Sequence, residues 1–301
     1  MLKIRIKGRL GNQLFIYSFA RKLSIKYNTN VLMYDRKKED DKMWHSHLDN
    51  YHLSEHILFT SNKTDVMPHQ PMSLAIYAYD RLKEKKLSSR KYHDFQVDNI
   101  PNNINKKLFL LNDGYIELPS KIRDNTFFDG YFQSPKYFDD IRDTLLEEFE
   151  PKYDYVGTEK EFLDQIQQTE SVCLTIRLGD YINNSTHQVC TRKFYEDAMD
   201  KMKELHPNCK FFVFSDEVEK AKEIFNFKYP VIYDSGTMPD FASLNVMSKC
   251  KHFIISNSSF SWWAQYLSRN NQKTVIAPDR WYAKDVPCDI YQPSWLLMAT
   301  K

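Results

Sequence analysis

Residues 1–34 read MLKIRIKGRLGNQLFIYSFARKLSIKYNTNVLMY, and this stretch decides the fold class. Residues 2–7 alternate apolar and basic side chains, the period of a strand with one face in a core. Gly8-Arg9-Leu10-Gly11-Asn12 reads as a turn. From about Gln13 to Tyr27, Leu14, Tyr17, Ala20 and Leu23 recur at three- and four-residue spacing, which predicts an amphipathic helix. Residues 31–34 are a second strand. Strand, glycine-bearing loop, helix and strand together open a parallel α/β sheet.

The alternation resumes more clearly in the second half. Strands are predicted over 172–176, 210–215, 231–233, 252–256 and 274–277. Helices are predicted over 193–205, 217–225, 241–249 and 261–267. Alternating strands and helices imply a parallel sheet covered on both faces. Between the halves, 126–133 is apolar and turn-containing, 137–148 reads as a helix, and Pro151 marks a boundary near 150–160. The segment 36–110 is less regular. Arg36–Lys42 reads as a charged loop, and 75–87 as a helix leading into a basic stretch of Arg81, Lys83, Lys85, Lys86, Arg90 and Lys91. A solvated helix face is the plainer reading of that stretch; attraction to anionic lipid head groups is the sharper one.

Composition narrows the function. The 301 residues suffice for two α/β domains, and 42% hydrophobic content allows a sizeable core. A net charge of +2 gives no basic face of the kind a nucleic-acid partner needs. The five cysteines, an odd number without C-x-x-C spacing, argue against a disulfide framework and a zinc site and fit a reducing compartment. No apolar run approaches the roughly 18 residues of a membrane span, and the N-terminus reads as a strand, not a signal peptide. A cytoplasmic location is the expectation.

Ligands of open parallel sheets bind outside the carboxyl ends of the strands, and four polar segments fall there. Gly8–Gln13 offers close backbone approach and a helix N-terminus suited to phosphate, though taken alone a tight turn is the better reading. It matches neither G-x-G-x-x-G nor a P-loop, which weighs against a Rossmann oxidoreductase. TIRLGDY at 175–181 delivers Arg177, a bidentate diphosphate ligand that cannot lose its proton, and Asp180, able to orient it or accept a proton; a structural Arg–Asp pair closing a turn is the competing reading. Ser215 and Asp216 end a strand and suit a ribose, a base or a helix cap. Ser256-Asn257-Ser258-Ser259-Phe260-Ser261 crowds small polar residues before a helix, more than a cap needs, and favours a phosphate site. A D-x-D donor-metal motif is not seen. Asp40-Asp41 and Asp139-Asp140 read as surface pairs, and His45 and His47 lack a third partner. No metal site is expected.

Together these segments resemble the bacterial α-1,2-fucosyltransferases, glycosyltransferase family 11. GRLGNQLFIYSFARKL resembles the family's opening G-G-L-G-N-Q block, DGYFQSPKYF its central G-Y-F-Q block, TIRLGDY its H-x-R-R-G-D-Y block, and FFVFSDE its strand ending in Ser-Asp. DFASLNVMSKCKHFIISNSSFSWWAQYL resembles its longest and most distinctive block almost position for position. The likeness spans residues 1 to about 282. It implies a GT-B-like α/β fold, two Rossmann-like domains with parallel sheets facing across a cleft. These are an N-terminal, mainly acceptor-side domain at 1–152 and a GDP-sugar-binding domain at 153–285, with a tail at 286–301 packing back on the body.

The resemblance further implies an inverting, metal-independent transfer of L-fucose from GDP-β-L-fucose to a glycan hydroxyl, O-2 of a β-galactoside. GDP-fucose is a co-substrate and no cofactor is implied. Carried over by position, Arg177 contacts the diphosphate, Ser258, Ser259 and Phe260 form the phosphate turn with Asn257 beside them, and Asp240 pairs with guanine. Ser215 and Asp216 lie beside the nucleoside, and Gly11 and Asn12 face the sugar and diphosphate. Asp180 is the candidate base or Arg orienter, with Glu196 and Asp129 as weaker candidates. Thr175 stands where the family has His, Leu178 where it has a second Arg, and Arg9 where it has a second Gly. Two alternatives stay open: transfer of another GDP-6-deoxyhexose such as colitose, and GDP-sugar binding without catalysis. The acceptor is expected to be an oligosaccharide. If it is lipid-linked, the 81–91 stretch would hold the protein to the inner membrane face.

Overall fold

The computed structural model describes residues 1–35, 47–182 and 184–300. Asp40, Asp41, His45 and the loop expected at 36–42 lie outside the described residues. The chain divides into two compact units, Met1–Phe149 with Asp285–Tyr291, and Glu150–Lys284 with Gln292–Lys301.

In the first unit β1 (Leu2–Arg5), α1 (Leu10–Tyr27) and β2 (Val31–Tyr34) form the expected opening. The helix starts three residues earlier than its periodicity suggests. Gly8, at φ 78°, makes the turn alone, so Gly11 and Asn12 sit on the first helical turn. β3 (Ile57–Thr60), α2 (Pro71–Lys86), α3 (Ser89–Ile104), β4 (Leu108–Leu110), β5 (Phe127–Asp129) and α4 (Arg142–Glu148) complete the unit. The expected helix from Tyr137 is instead two 3-10 turns before α4, because Phe138 leaves the helical region at φ −143° and ψ 8°, with its ring buried against Phe15 at 5.9 Å. The sheet is parallel throughout, in the order β3-β2-β1-β5-β4. The chain runs outward from β1 on one side and returns beside it with β5, so β1 and β5 flank the switch point of the sheet.

α2 is turned inside out. It buries Ser73, Tyr77 and Asp80, and it exposes Met72, Tyr79 and Leu82, each more than half exposed. α3 was missed in the sequence because it buries Gln96 and Asn103 beside Tyr92 and Ile100 and carries an internal Pro101.

The second unit contains α5 (Gly157–Gln168), β6 (Ser171–Ile176), α6 (Arg192–Leu205), β7 (Lys210–Ser215), α7 (Val218–Ile224) and β8 (Val231–Tyr233). It continues with α8 (Asp240–Ser248), β9 (His252–Ile254), α9 (Ser259–Tyr266), β10 (Val275–Pro278) and β11 (Leu296–Met298). Its parallel sheet is ordered β11-β10-β9-β6-β7-β8, the doubly wound order in which the first strand, here β6, lies beside the fourth, here β9. β6 is buried along its whole length. Its Val172, Leu174 and Ile176 pack with Phe194, Met199 and Met202 of α6.

The last residues are shared between the units. Asp289 accepts the Tyr115 backbone N–H at 3.0 Å and pairs with Lys136 at 2.5 Å, and Asp285 pairs with Arg90 at 2.7 Å, all in the first unit. β11 adds an edge strand to the second. Among the described residues no helix is long and apolar enough to cross a membrane.

Candidate functional site

The switch point of the second sheet lies between the carboxyl ends of β6 and β9, where doubly wound sheets hold ligands. Arg177 leaves the end of β6. Its guanidinium pairs with Asp180 Oδ1 at 2.7 Å and Asp216 Oδ2 at 3.1 Å, and lies 5.4 Å above the Tyr181 ring. Burial pulls the Arg177 pKa down, but Asp216 and Asp180 outweigh it and the net shift is upward. The charge is therefore permanent, and its direction is set by two carboxylates.

Asp216 holds both Arg177 and the backbone beside it. Its Oδ1 accepts the Leu178 backbone N–H at 2.9 Å while Oδ2 holds Arg177. Gly179 makes room for it, since a Cβ there would stand 2.4 Å from Asp216 Oδ2. Ser215 accepts the Glu217 N–H at 3.1 Å, the cap-like role open to it from sequence. Leu178 is buried in the apolar core of the unit. This position supplies packing and no second cation.

Thr175 also has a structural task. Its hydroxyl oxygen accepts the Ser256 N–H at 2.8 Å and so ties the end of β6 to the loop after β9. In that loop Ser256 meets the Ser261 hydroxyl at 2.9 Å. Asn257 donates to the carbonyls of His187 and Trp281, both at 2.9 Å, and accepts from the Cys190 thiol. Its amide braces neighbouring loops. Ser258 caps α9 through its backbone only, with no side-chain cap hydrogen bond. The first intrahelical bond runs from Trp262 N–H to Ser258 O at 2.9 Å. The N–H groups of Ser259, Phe260 and Ser261 precede it, at the positive end of the helix. Crowding at 256–261 thus separates into Ser256, Asn257 and Ser261, whose side chains build the loop, and Ser258, Ser259 and Phe260 at the amino end of α9.

Asp240 is exposed at the first position of α8. Three neighbours were not singled out in the sequence. Asp234, just beyond β8, is 5% exposed and has an unpartnered Oδ1; burial raises its pKa against the backbone hydrogen bonds of Gly236 and Ser235. Burial pushes the Tyr181 hydroxyl up to about 12, so it stays protonated and donates to Asn257 O at 3.2 Å. His187 stacks on Tyr181 at 5.0 Å and is held towards its neutral form by burial. Tyr181 closes the TIRLGDY segment; Asp234 and His187 lie in no motif.

In the first unit the loop after β1 is tied to the loop after β5. Gln133 donates to Asn12 Oδ1 at 2.6 Å, and Gln13 donates to Gly8 O at 3.0 Å. A Cβ on Gly8 would stand 2.3 Å from Asn12 Nδ2. Gly11 is buried in the first turn of α1. Asp129 is fully buried among Lys7 at 3.1 Å, Arg5 at 3.4 Å and the Tyr77 hydroxyl at 2.7 Å. Burial would raise its pKa, but Lys7, Arg5 and Arg81 hold it at about 2. That environment suits an internal counter-ion, not a proton acceptor. Glu196 pairs with Arg192 on an exposed part of α6. Within the 81–91 stretch Arg81 turns inward to Asp80 and Arg90 pairs with Asp285, so neither is free to meet a lipid.

Among the described residues Glu170, His206 and His252 are spaced to hold a metal ion. They lie at the amino ends of β6 and β9, about 20 Å of strand from Arg177. His252 Nδ1 accepts the Thr274 N–H at 3.0 Å, which leaves the ring hydrogen on Nε2, facing Glu170 at 2.8 Å. A metal on Nε2 would need that hydrogen removed.

The family model described as Glycosyl transferase family 11 matches residues 1–299. An alpha-1,2-colitosyltransferase of Escherichia coli is 29% identical over 93% of this chain and 92% of its own length. The O-antigen biosynthesis glycosyltransferase WbnK of Escherichia coli is 27% identical over 97% of this chain and 98% of its own. A galactoside 2-alpha-L-fucosyltransferase of Caenorhabditis elegans is 26% identical over 55% of this chain and 50% of its own.

Proposed function

The chain belongs to glycosyltransferase family 11, and from that premise we propose that it moves L-fucose from GDP-β-L-fucose to a hydroxyl of a surface glycan, O-2 of a β-galactoside, with inversion and without a metal ion. The observation that supports the donor half is that Arg177 follows β6 and α9 follows β9, the two neighbouring strands at the switch point of one sheet.

In this reading the diphosphate lies on Ser258, Ser259 and the N–H groups that open α9, with Arg177 against its oxygens. The bond from the sugar carbon to the β-phosphate oxygen breaks, and its electrons stay on GDP. Preformed positive charge lowers that barrier most, because it needs no reorganisation as the negative charge develops. A helix terminus contributes roughly 0.3–1 kcal/mol when exposed, so Arg177 is the larger contributor. The acceptor oxygen attacks from the opposite face, and its proton passes to a carboxylate or to water. Asp180 accepts from Arg177, which supports orienting as its first role. Asp240 and Asp234 are the acidic groups offered to the nucleoside. Membrane contact would fall to Lys83, Lys85, Lys86 and Lys91.

The Escherichia coli colitosyltransferase relative favours a second reading, in which the donor is another GDP-6-deoxyhexose such as GDP-colitose. Calorimetry with GDP, GDP-fucose and GDP-mannose, with EDTA present, separates them, followed by transfer to a β-galactoside. GDP-fucose binding and transfer in EDTA support the first reading. Binding of GDP with neither binding nor transfer of fucose moves the assignment to the second. No binding of any guanine nucleotide removes both.

A further inference from the structure

The face of β1 toward α2 carries Lys3 and Arg5, and Lys7 continues the series beyond the strand, in alternation with the core residues Leu2, Ile4 and Ile6. Arg5 and Lys7 meet Asp129. Lys3 is at the other end of the strand and only 9% exposed. Among the described residues its ammonium has no hydrogen-bond or ion-pair partner. Its stem is packed in the fold and its ammonium opens onto a cavity, where an anion would supply the counter-charge.

Lys3 lines a cavity of about 290 Å³ together with Lys106, Lys107, His69, Gln70 and Ser73, and no carboxylate is among its lining residues. The 16-residue α2 opens onto it. Pro71 has no N–H, Leu74 N–H bonds Gln70 O at 3.0 Å, and the N–H groups of Met72 and Ser73 lie at the positive helix end. The Ser73 hydroxyl donates to Lys106 O at 2.8 Å and so fixes the segment that carries the two lysines. Asp124, whose charge Lys107 feels, is taken by the terminal ammonium of Met1 at 2.8 Å.

We propose that this cavity binds a phosphoryl group, as a monophosphate or diphosphate, at the amino end of the first sheet and separate from the GDP-sugar site. Three ammonium groups and a helix N-terminus give donors and positive charge from several sides. The volume is at the small end for ligand pockets and suits a diphosphate. The phosphoryl group could come from a soluble phosphate ester or from a lipid. The exposed apolar residues Met72, Tyr79 and Leu82 on the helix beside it favour a lipid-borne one.

Calorimetric titration of the whole protein with pyrophosphate, in EDTA, tests the site. A binding component kept in Arg177→Ala and weakened at least about tenfold in the double variant Lys106→Glu, Lys107→Glu is the expected result. Lys3→Met keeps the length of the side chain without its charge. It should weaken the same component by a similar factor and leave the melting temperature unchanged or higher. Pyrophosphate binding lost in Arg177→Ala but unaltered by the lysine changes belongs to the donor site and overturns the proposal, as does no binding. A Lys3→Met protein that melts lower also overturns it, because Lys3 would then be structural. Sedimentation with phosphatidylcholine vesicles, with and without phosphatidic acid, identifies the source. Retention on the acidic vesicles that the lysine changes abolish supports a lipid-borne phosphate. Pyrophosphate binding without retention supports a soluble one.

Discussion

Gly179 exists, on this structure, to make room for a carboxylate, and the replacement Gly179→Ala tests whether that carboxylate mounts Arg177. The new Cβ would stand 2.4 Å from Asp216 Oδ2, about 1 Å inside ordinary contact. The backbone at 179 is not in the left-handed region, so the conformation itself suits alanine. Asp216 must therefore yield, losing the Leu178 N–H at 2.9 Å and Arg177 NH1 at 3.1 Å. A hydrogen bond to a charged group is worth about 1.5–3 kcal/mol net. Arg177 keeps Asp180, so the ion pair adds less, and about 2 kcal/mol is expected for Gly179→Ala. Asp216→Ala should cost about the same, because it removes the same two bonds. The double variant should then cost no more than either single one, a coupling of about 2 kcal/mol. Thermal unfolding gives the stabilities, at roughly 2–4 °C per kcal/mol for a unit of this size, and GDP titration gives the effect on the site. Additive losses in the double variant would refute the reasoning, since they would mean that Gly179 and Asp216 act separately.

Arg177→Ala should reduce transfer by at least about a hundredfold with the circular dichroism spectrum unchanged, and Arg177→Lys should recover little, because a point charge cannot bridge two oxygens in a plane; an active Arg177→Ala protein would dismiss the mechanism. Asp234 has a raised pKa, so its contribution to stability is full below the ordinary value of 3.8 and is lost as pH rises through the folded pKa. Asp234→Asn should therefore raise the melting temperature at pH 7, with the gain shrinking towards pH 4, while nucleotide affinity falls; a pH-independent difference would argue against burial as the cause. Asp129 is the reverse case: with its pKa at about 2, its stabilisation is present above 3.8 and lost as pH falls through about 2. Asp129→Asn should cost about 3–5 kcal/mol at neutral pH in urea unfolding, because three cations are left under-compensated.

Much of this architecture was legible in the chain. The strands at 31–34, 210–215 and 231–233 match the structure residue for residue, because short apolar runs between polar turns leave little choice of boundary. α2 and α3 were hard to read for one physical reason: they bury serine, aspartate, glutamine and asparagine, and periodicity methods assume the reverse. At the site, the positions of Arg177 and of the 256–261 loop were visible as polar groups at strand ends. Their division of labour was not. That Asn257 and Asp216 brace neighbouring segments depends on partners far away in the chain, such as His187 O, 70 residues off, and Leu178 N–H, 38 residues off. Asp234 carried no signal beyond its position after a strand.

The return of residues 285–291 to the first unit has a consequence for how the protein is made. The amino-terminal 149 residues leave the ribosome long before Asp285 and Asp289 exist. Until those arrive, Arg90 and Lys136 lack their partners, and the Tyr115 N–H lacks its acceptor. Synthesis therefore delivers the whole second sheet except its edge strand before the first unit can be closed. Domains commonly fold in order of emergence; here the first to emerge waits for residues made after nearly all of the second.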